Sequence, residues 1–154
     1  MVRFYIAHKI TRRHYIRDDI CPFLHENGIE TINPFYNMDG TIRKERPEIK
    51  AIDEGRMGEY DITRKVQSKD IVEKDLKRIR DADGIIAIIE ESSIGTSMEI
   101  FYCARWCKKP VFIVTTSYTG HPWLIYLTNM NGGKIIKNKE ELVKAIKGWI
   151  KKNV

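Results

Sequence analysis

A chain of 154 residues has the length of one domain, 1–154, and can bury a full core without disulfide or metal staples. Hydrophobic residues at 42% and charged residues at 31% exclude a disordered chain, and no apolar run reaches the roughly 18 residues of a membrane span. The net charge of +6 favours anionic ligands, but its densest groups, Lys9, Arg12 and Arg13 and then Lys147, Lys151 and Lys152, are short and lie at opposite ends, which argues against a nucleic-acid binder.

Phe4-Tyr5-Ile6-Ala7 opens as a short apolar strand. Positions 10–26 follow with helical spacing (Tyr15, Ile16, Ile20, Phe23, Leu24), and Gly28 stands where a C-cap belongs. A strand over 29–33 closes at Pro34. The stretch 35–67 is too long for an ordinary connection and reads as a lid-like or partly helical insertion, with Gly55 and Gly58 flanking Met57. Val72, Leu76 and Ile79 mark a helix over 70–80. Positions 84–89, GIIAII, are apolar without alternation, as in a central parallel strand covered on both faces. A helix over 95–107, strands over 110–115 and 133–136, and a helix over 139–151 with the stripe Leu142, Ile146, Trp149, Ile150 complete the chain. Alternating strands and helices predict a single doubly wound α/β domain, Rossmann-like or flavodoxin-like, with about five parallel strands. Ligands of such sheets bind beyond the carboxyl ends of the strands, here after Ala7, Asn33, Ile89 and Thr115.

The segment Glu90 to Glu99, EESSIGTSME, joins a buried strand to a helix expected to start near Gly95 or Thr96. Free backbone N–H groups there, with the hydroxyls of Ser93, Thr96 and Ser97, make an anion site. Glu99 falls in the expected first turn, where the helix dipole favours its ionised form, and an ionised carboxylate beside an anion cradle can act as a nucleophile. The same residues also fit a capping box in which Ser93 or Thr96 serves the helix. Three cysteines without CxxC spacing read as reduced thiols, and the N-terminal run is too short and broken for a secretory signal, so the expected location is cytoplasmic. The four histidines lack HxxxH or HExxH spacing, Gly-rich phosphate loops are absent, and there is no Gly-x-Ser-x-Gly elbow. No metal site and no cofactor are expected.

The combined pattern resembles the nucleoside 2-deoxyribosyltransferase family, including its 2′-deoxynucleoside 5′-phosphate N-hydrolase branch. The matching pieces, in order, are Phe4 to Ala7, Gly28 to Pro34, Val72-Glu73-Lys74-Asp75-Leu76 with Ala82-Asp83, Ser93 to Glu99, and Lys109-Pro110-Val111, over roughly residues 3–115. The resemblance implies that Glu99 attacks the anomeric carbon to form a glycosyl-enzyme, as carboxylates do in retaining glycosidases. It implies that Asp75 faces the base and supplies or relays a proton, and that Tyr5 orients the nucleophile. Six residues before the nucleophile the transferases have an aspartate and the nucleotide hydrolases a serine. Ser93 stands there, and a hydroxyl can donate to a phosphate that a carboxylate would repel, which favours a 5′-monophosphate. Gly95 and Ser97 belong to the same turn, and Lys9, Arg12 and Arg13 could add positive charge. Phe35, Tyr36 and Met57 are candidates to lie over the base. Ser117 and Asn129 are candidate donors from a neighbouring subunit, so a homodimer or higher homo-oligomer is expected. Where the family has a glycine after the first strand, this chain has His8 and Lys9. The expected activity is N-glycosidic cleavage of a nucleotide. The alternatives are base exchange between nucleosides and a non-catalytic nucleotide-binding module.

Overall fold

The computed structural model describes residues 1–56 and 65–154. Five strands, β1 (Arg3–His8), β2 (Glu30–Ile32), β3 (Gly84–Ile88), β4 (Val111–Val114) and β5 (Lys134–Ile136), form one parallel sheet in the order β2-β1-β3-β4-β5. Side chains alternate across it and divide the core in two. Phe4, Ile6, Ile86, Ile88, Phe112 and Val114 face one way, and Tyr5, Ala7, Ile85, Ala87, Val111 and Ile113 the other.

Helix α1 spans 10–26, α2 is Pro47–Asp53, α3 is Lys65–Asp81, α4 spans 94–106, α5 is Pro122–Asn129 and α6 is Lys139–Asn153. The first core layer is closed by Ile16, Ile20 and Leu24 of α1 with Leu142, Val143 and Ile146 of α6. The second is closed by Ile79 of α3, Ile100, Cys103 and Ala104 of α4, and Leu127 of α5. Helices on both faces of a parallel sheet are the doubly wound arrangement the sequence pattern predicts. The strand order reverses direction between β1 and β3, and ligands of such folds bind at that switch point.

Local chemistry fixes the joints. Gly28 adopts φ +80°, so that Gly28 N–H and Ile29 N–H reach the carbonyls of His25 and Leu24, each at 3.0 Å, and end α1. Gly84 has no room for a side chain, because a Cβ there would lie 2.6 Å from the Pro110 carbonyl oxygen and 2.8 Å from the Phe4 ring. Neither α1 nor α4 is regular: α1 opens as a 3₁₀ turn over Ile10–Arg12 and widens to a π-helix over Ile16–Ile20, and α4 widens over Tyr102–Trp106.

One expectation is corrected. Val72 does not belong to the buried stripe of α3; it is 53% exposed, and the buried row is Ile71, Asp75, Ile79, spaced by four. In the described part of 35–67, expected to be lid-like or partly helical, α2 is helical and Phe35, Tyr36 and Ile49 form a third small core with Ile10. Met57 and Gly58 lie outside the described residues. Between β4 and β5 the chain forms α5, opened by Pro122 at its first turn. Among the described residues no helix is long and apolar enough to cross a membrane.

Candidate active site

Tyr5 sits in the middle of β1 with its side chain wholly buried on the α3–α4 face. A buried phenol needs an acceptor, and Tyr5 Oη donates to Glu99 Oε2. Glu99 is brought there by α4, whose N-cap is Ser93: Ser93 Oγ accepts from Thr96 N–H at 3.5 Å. The helix therefore begins at Ile94, earlier than expected, and Glu99 falls in its second turn. That corrects the dipole argument. Burial, reinforced by the nearby Asp75 charge, pushes the Glu99 carboxyl up to about 8, while the Tyr5 hydrogen bond and Arg46 pull it down. The site therefore disfavours the ionised form of Glu99 relative to an ordinary carboxylate.

Asp75 is delivered by α3 into the same space and is buried. Its Oδ2 accepts from Arg46 Nη2 at 2.6 Å and its Oδ1 from Arg78 Nη1 at 3.0 Å. Burial raises its midpoint above the ordinary value, and the two guanidiniums oppose that rise. Arg78 also pairs with Glu45, and Arg46 with Glu48 at 3.3 Å. The Arg46 guanidinium is stacked 4.7 Å above the Phe35 ring, whose edge meets His8 at 5.0 Å. His8 is buried and neutral: burial lowers it to about 4, and its Nδ1 is 3.0 Å from the Ile6 carbonyl. One face of the sheet thus gathers a phenol and two carboxyls, with two guanidiniums closing over the second carboxyl. Such a cluster can present a carboxylate to an electrophilic carbon and hold opposing charge beside it.

No protein-family model matches the chain, and no curated protein is a sequence match. Among solved structures, the chain is similar to a CMP N-glycosidase of Clostridium botulinum at 17% identity and a TM-score of 0.56, over 96% of this chain and 98% of that one. It is likewise similar to a 2-deoxyribosyltransferase of the psychrotolerant bacterium Bacillus psychrosaccharolyticus at 15% identity and a TM-score of 0.55, over 92% and 90% of the two chains. The chain shares their fold.

Within that fold the structure groups Tyr5, Glu99 and Asp75 and separates the other candidates from them. Ser97 Oγ donates to the Ser93 carbonyl at 2.8 Å, and Gly95 is exposed, with open space around the position of a Cβ. Ser93, Thr96 and Ser97 line a cavity of about 410 Å³ together with Met98, Phe101 and Trp123. Glu99 is not part of its wall, because its carboxyl turns to Tyr5. Lys9 pairs with Glu91 at 3.3 Å, Arg13 with Asp53 at 2.6 Å, and the Arg12 guanidinium stacks 4.9 Å from the Tyr15 ring. Each of the three side chains offered as added positive charge thus has a partner within the chain. Phe35 and Tyr36 are buried in the small third core, where Phe35 carries Arg46 rather than an open stacking face. Ser117 and Asn129 are exposed and make no hydrogen bond to the carboxyl cluster within this chain. Sequence reasoning missed Arg46. Its only signal was indirect: Asp75 in the apolar row of α3 needs cations beside it, and Arg78 of the same helix supplies only one of the two it has.

Proposed function

We propose that this chain cleaves the N-glycosidic bond of a (2′-deoxy)nucleoside 5′-monophosphate, releasing free base and sugar phosphate. The observation that carries this reading is the Tyr5–Glu99 hydrogen bond with Asp75 beside it, set on the fold of an N-glycosidase and a deoxyribosyltransferase. Glu99, once ionised, bonds through a carboxylate oxygen to C1′ while the C1′–N bond breaks. The bond's electron pair leaves with the base, which takes up a proton from solvent relayed through Asp75. Tyr5 holds one carboxylate oxygen and leaves the other for attack. Water then displaces Glu99 from C1′: the C1′–O bond's electron pair returns to the carboxylate, the hydroxyl stays on the sugar, and the released proton replaces the one the base took.

Ser93 supports a phosphate. Its cap to Thr96 uses an oxygen lone pair, which leaves the hydroxyl proton free to be donated at the start of α4. The likeness to the Bacillus enzyme supports a second reading, transfer of the sugar to another base. Ile94, Met98 and Phe101 on α4 and Trp123 and Tyr126 on α5 form exposed apolar surface. We assign that surface to a second copy of the chain, which would bring Ser117 and Asn129 to its partner's pocket. The free thiols of Cys21, Cys103 and Cys107 support a reducing, cytoplasmic setting.

A chromatographic screen for base release, run over ribo- and deoxynucleosides with and without 5′-phosphate, tests the reaction. Base and sugar phosphate from a monophosphate are expected. A new nucleoside formed on adding a second base would indicate transfer, and tight binding without turnover would indicate a non-catalytic module. Full activity in Glu99→Ala would overturn the mechanism.

A further inference from the structure

We infer that Arg46 is a positioning residue that keeps Asp75 an anion and thereby leaves the mobile proton of the carboxyl pair on Glu99. The catalytic consequence presupposes the proposed glycosidic cleavage; the placement of charge does not.

The geometry is unequal at the two carboxyls. Both oxygens of Asp75 accept from guanidinium N–H groups, from Arg46 at 2.6 Å and from Arg78 at 3.0 Å. A neutral Asp75 would have to turn an O–H against one of those donors, so the pair of arginines selects the ionised form. Glu99 has no such clamp. Its Oε2 accepts from Tyr5, and among the described residues its Oε1 makes no hydrogen bond, so a proton has a place to sit there. The two carboxyls feel each other, since the Asp75 charge raises Glu99, and they must ionise as a coupled pair.

Arg46 is the decisive member because it is immobilised and makes the shorter contact. It is buried, stacked on Phe35 and anchored at its other nitrogen by Glu48 at 3.3 Å. The remaining charged groups around Asp75 are accounted for. Arg78 lies on α3 itself and shares its charge with Glu45, and Arg43 stands nearby in the segment before α2. Glu99 faces Asp75 from α4 and Tyr5 from β1, and both carry the influence of the Asp75 charge. Loss of Arg46 removes the closer cation and leaves a buried carboxylate under-compensated, which drives Asp75 to take up a proton. The nucleophile would then ionise beside a less charged neighbour, and the gap between the two carboxyls would close. Arg46 thus decides which carboxyl must lose a proton before attack on C1′.

Carboxyl-carbon NMR titration of the full chain, labelled at Asp Cγ and Glu Cδ and assigned with Asp75→Asn and Glu99→Gln, reads this directly. In the wild-type protein Asp75 is expected to titrate at lower pH than Glu99. In Arg46→Gln the Asp75 midpoint is expected to rise and the gap to narrow or reverse, while Arg46→Lys, which keeps a cation, restores part of the gap. Unmoved midpoints in an Arg46→Gln protein with wild-type near-UV circular dichroism would overturn the inference. If that variant does not fold, wild type decides, because Asp75 titrating above Glu99 overturns it alone. Wild type with the expected order but no base release would sink the proposed reaction and leave the charge placement standing. Active wild type with the reverse order would do the opposite.

Discussion

Tyr5 and Glu99 lie 94 positions apart in the sequence, yet the phenol of one donates to the carboxyl of the other across the β1–α4 contact. The bond completes the buried phenol and lowers the Glu99 midpoint against the burial that raises it. In Tyr5→Phe that counterweight is gone. The acidic limb of the base-release profile is expected to move to higher pH, with activity at pH 7 falling about tenfold. The lost buried hydrogen bond costs about 1 kcal/mol in denaturant melts. An unchanged limb would show that Tyr5 does not tune the carboxyl.

Wild-type base release is expected to climb with pH until about 8, where burial and the Asp75 charge place the Glu99 midpoint. Attack requires the ionised carboxylate, so kcat/KM follows its fraction. A profile already flat at pH 6 would mean that another group sets the limb.

Glu99 also ties stability to pH. Its midpoint rises from 4.5 in the unfolded chain to about 8 in the folded one. Below 4.5 both states hold the proton and nothing is lost. Between those values the folded state binds more protons than the unfolded one, so stability falls as pH rises, and above about 8 the deficit is complete. Glu99→Gln removes this liability. Relative to wild type, the variant is expected to gain a few kcal/mol between pH 5 and pH 9 in paired thermal melts. Equal melting differences at the two pH values would refute the buried-acid reading.

The doubly wound sheet was legible because covered strands are apolar on both faces. GIIAII at 84–89 and PVFIVT at 110–115 have no polar side to misplace, and β3 and β4 fall inside them. Helix boundaries at the site were less legible. Ser93 reads as a loop hydroxyl or as an N-cap, and the choice shifts Glu99 by one or two residues, from the first turn into the second. The helical spacing of Val72 suggested burial, but one step along the face Asp75 takes that place, paired with arginines. Arg46 could not be found by periodicity at all, because it sits in an irregular segment and meets Asp75 only through the tertiary fold. The π-helical turns of α1 and α4 likewise leave no mark on an i, i+4 pattern.

Gly84 at the start of β3 faces the Pro110 carbonyl and the Phe4 ring at distances no Cβ tolerates, 2.6 and 2.8 Å. Neither neighbour can yield, since one is backbone and the other is wedged against Phe112 and Trp149. Gly84→Ala is expected to cost about 2 kcal/mol or more and to lower Tm by roughly 5 °C or more. A melting temperature within 1 °C (roughly the scatter of replicate melts) would mean that the β3–β4 contact adjusts more freely than close packing allows.

Ser93 has two separable duties, and one pair of substitutions distinguishes them. Ser93→Ala removes the cap acceptor of α4, at about 1 kcal/mol, and removes the hydroxyl proposed to donate to phosphate. Ser93→Asp keeps a strong cap and suits the helix dipole, so stability should stay within about 0.5 kcal/mol of wild type. Its negative charge, however, would face the substrate's phosphate. The ratio of kcat/KM for a 5′-monophosphate over the matching nucleoside is therefore expected to fall at least about tenfold in Ser93→Asp, and less in Ser93→Ala. A ratio that survives Ser93→Asp would place the phosphate away from the start of α4, and Lys9 and Arg12 would then be the side chains to substitute next.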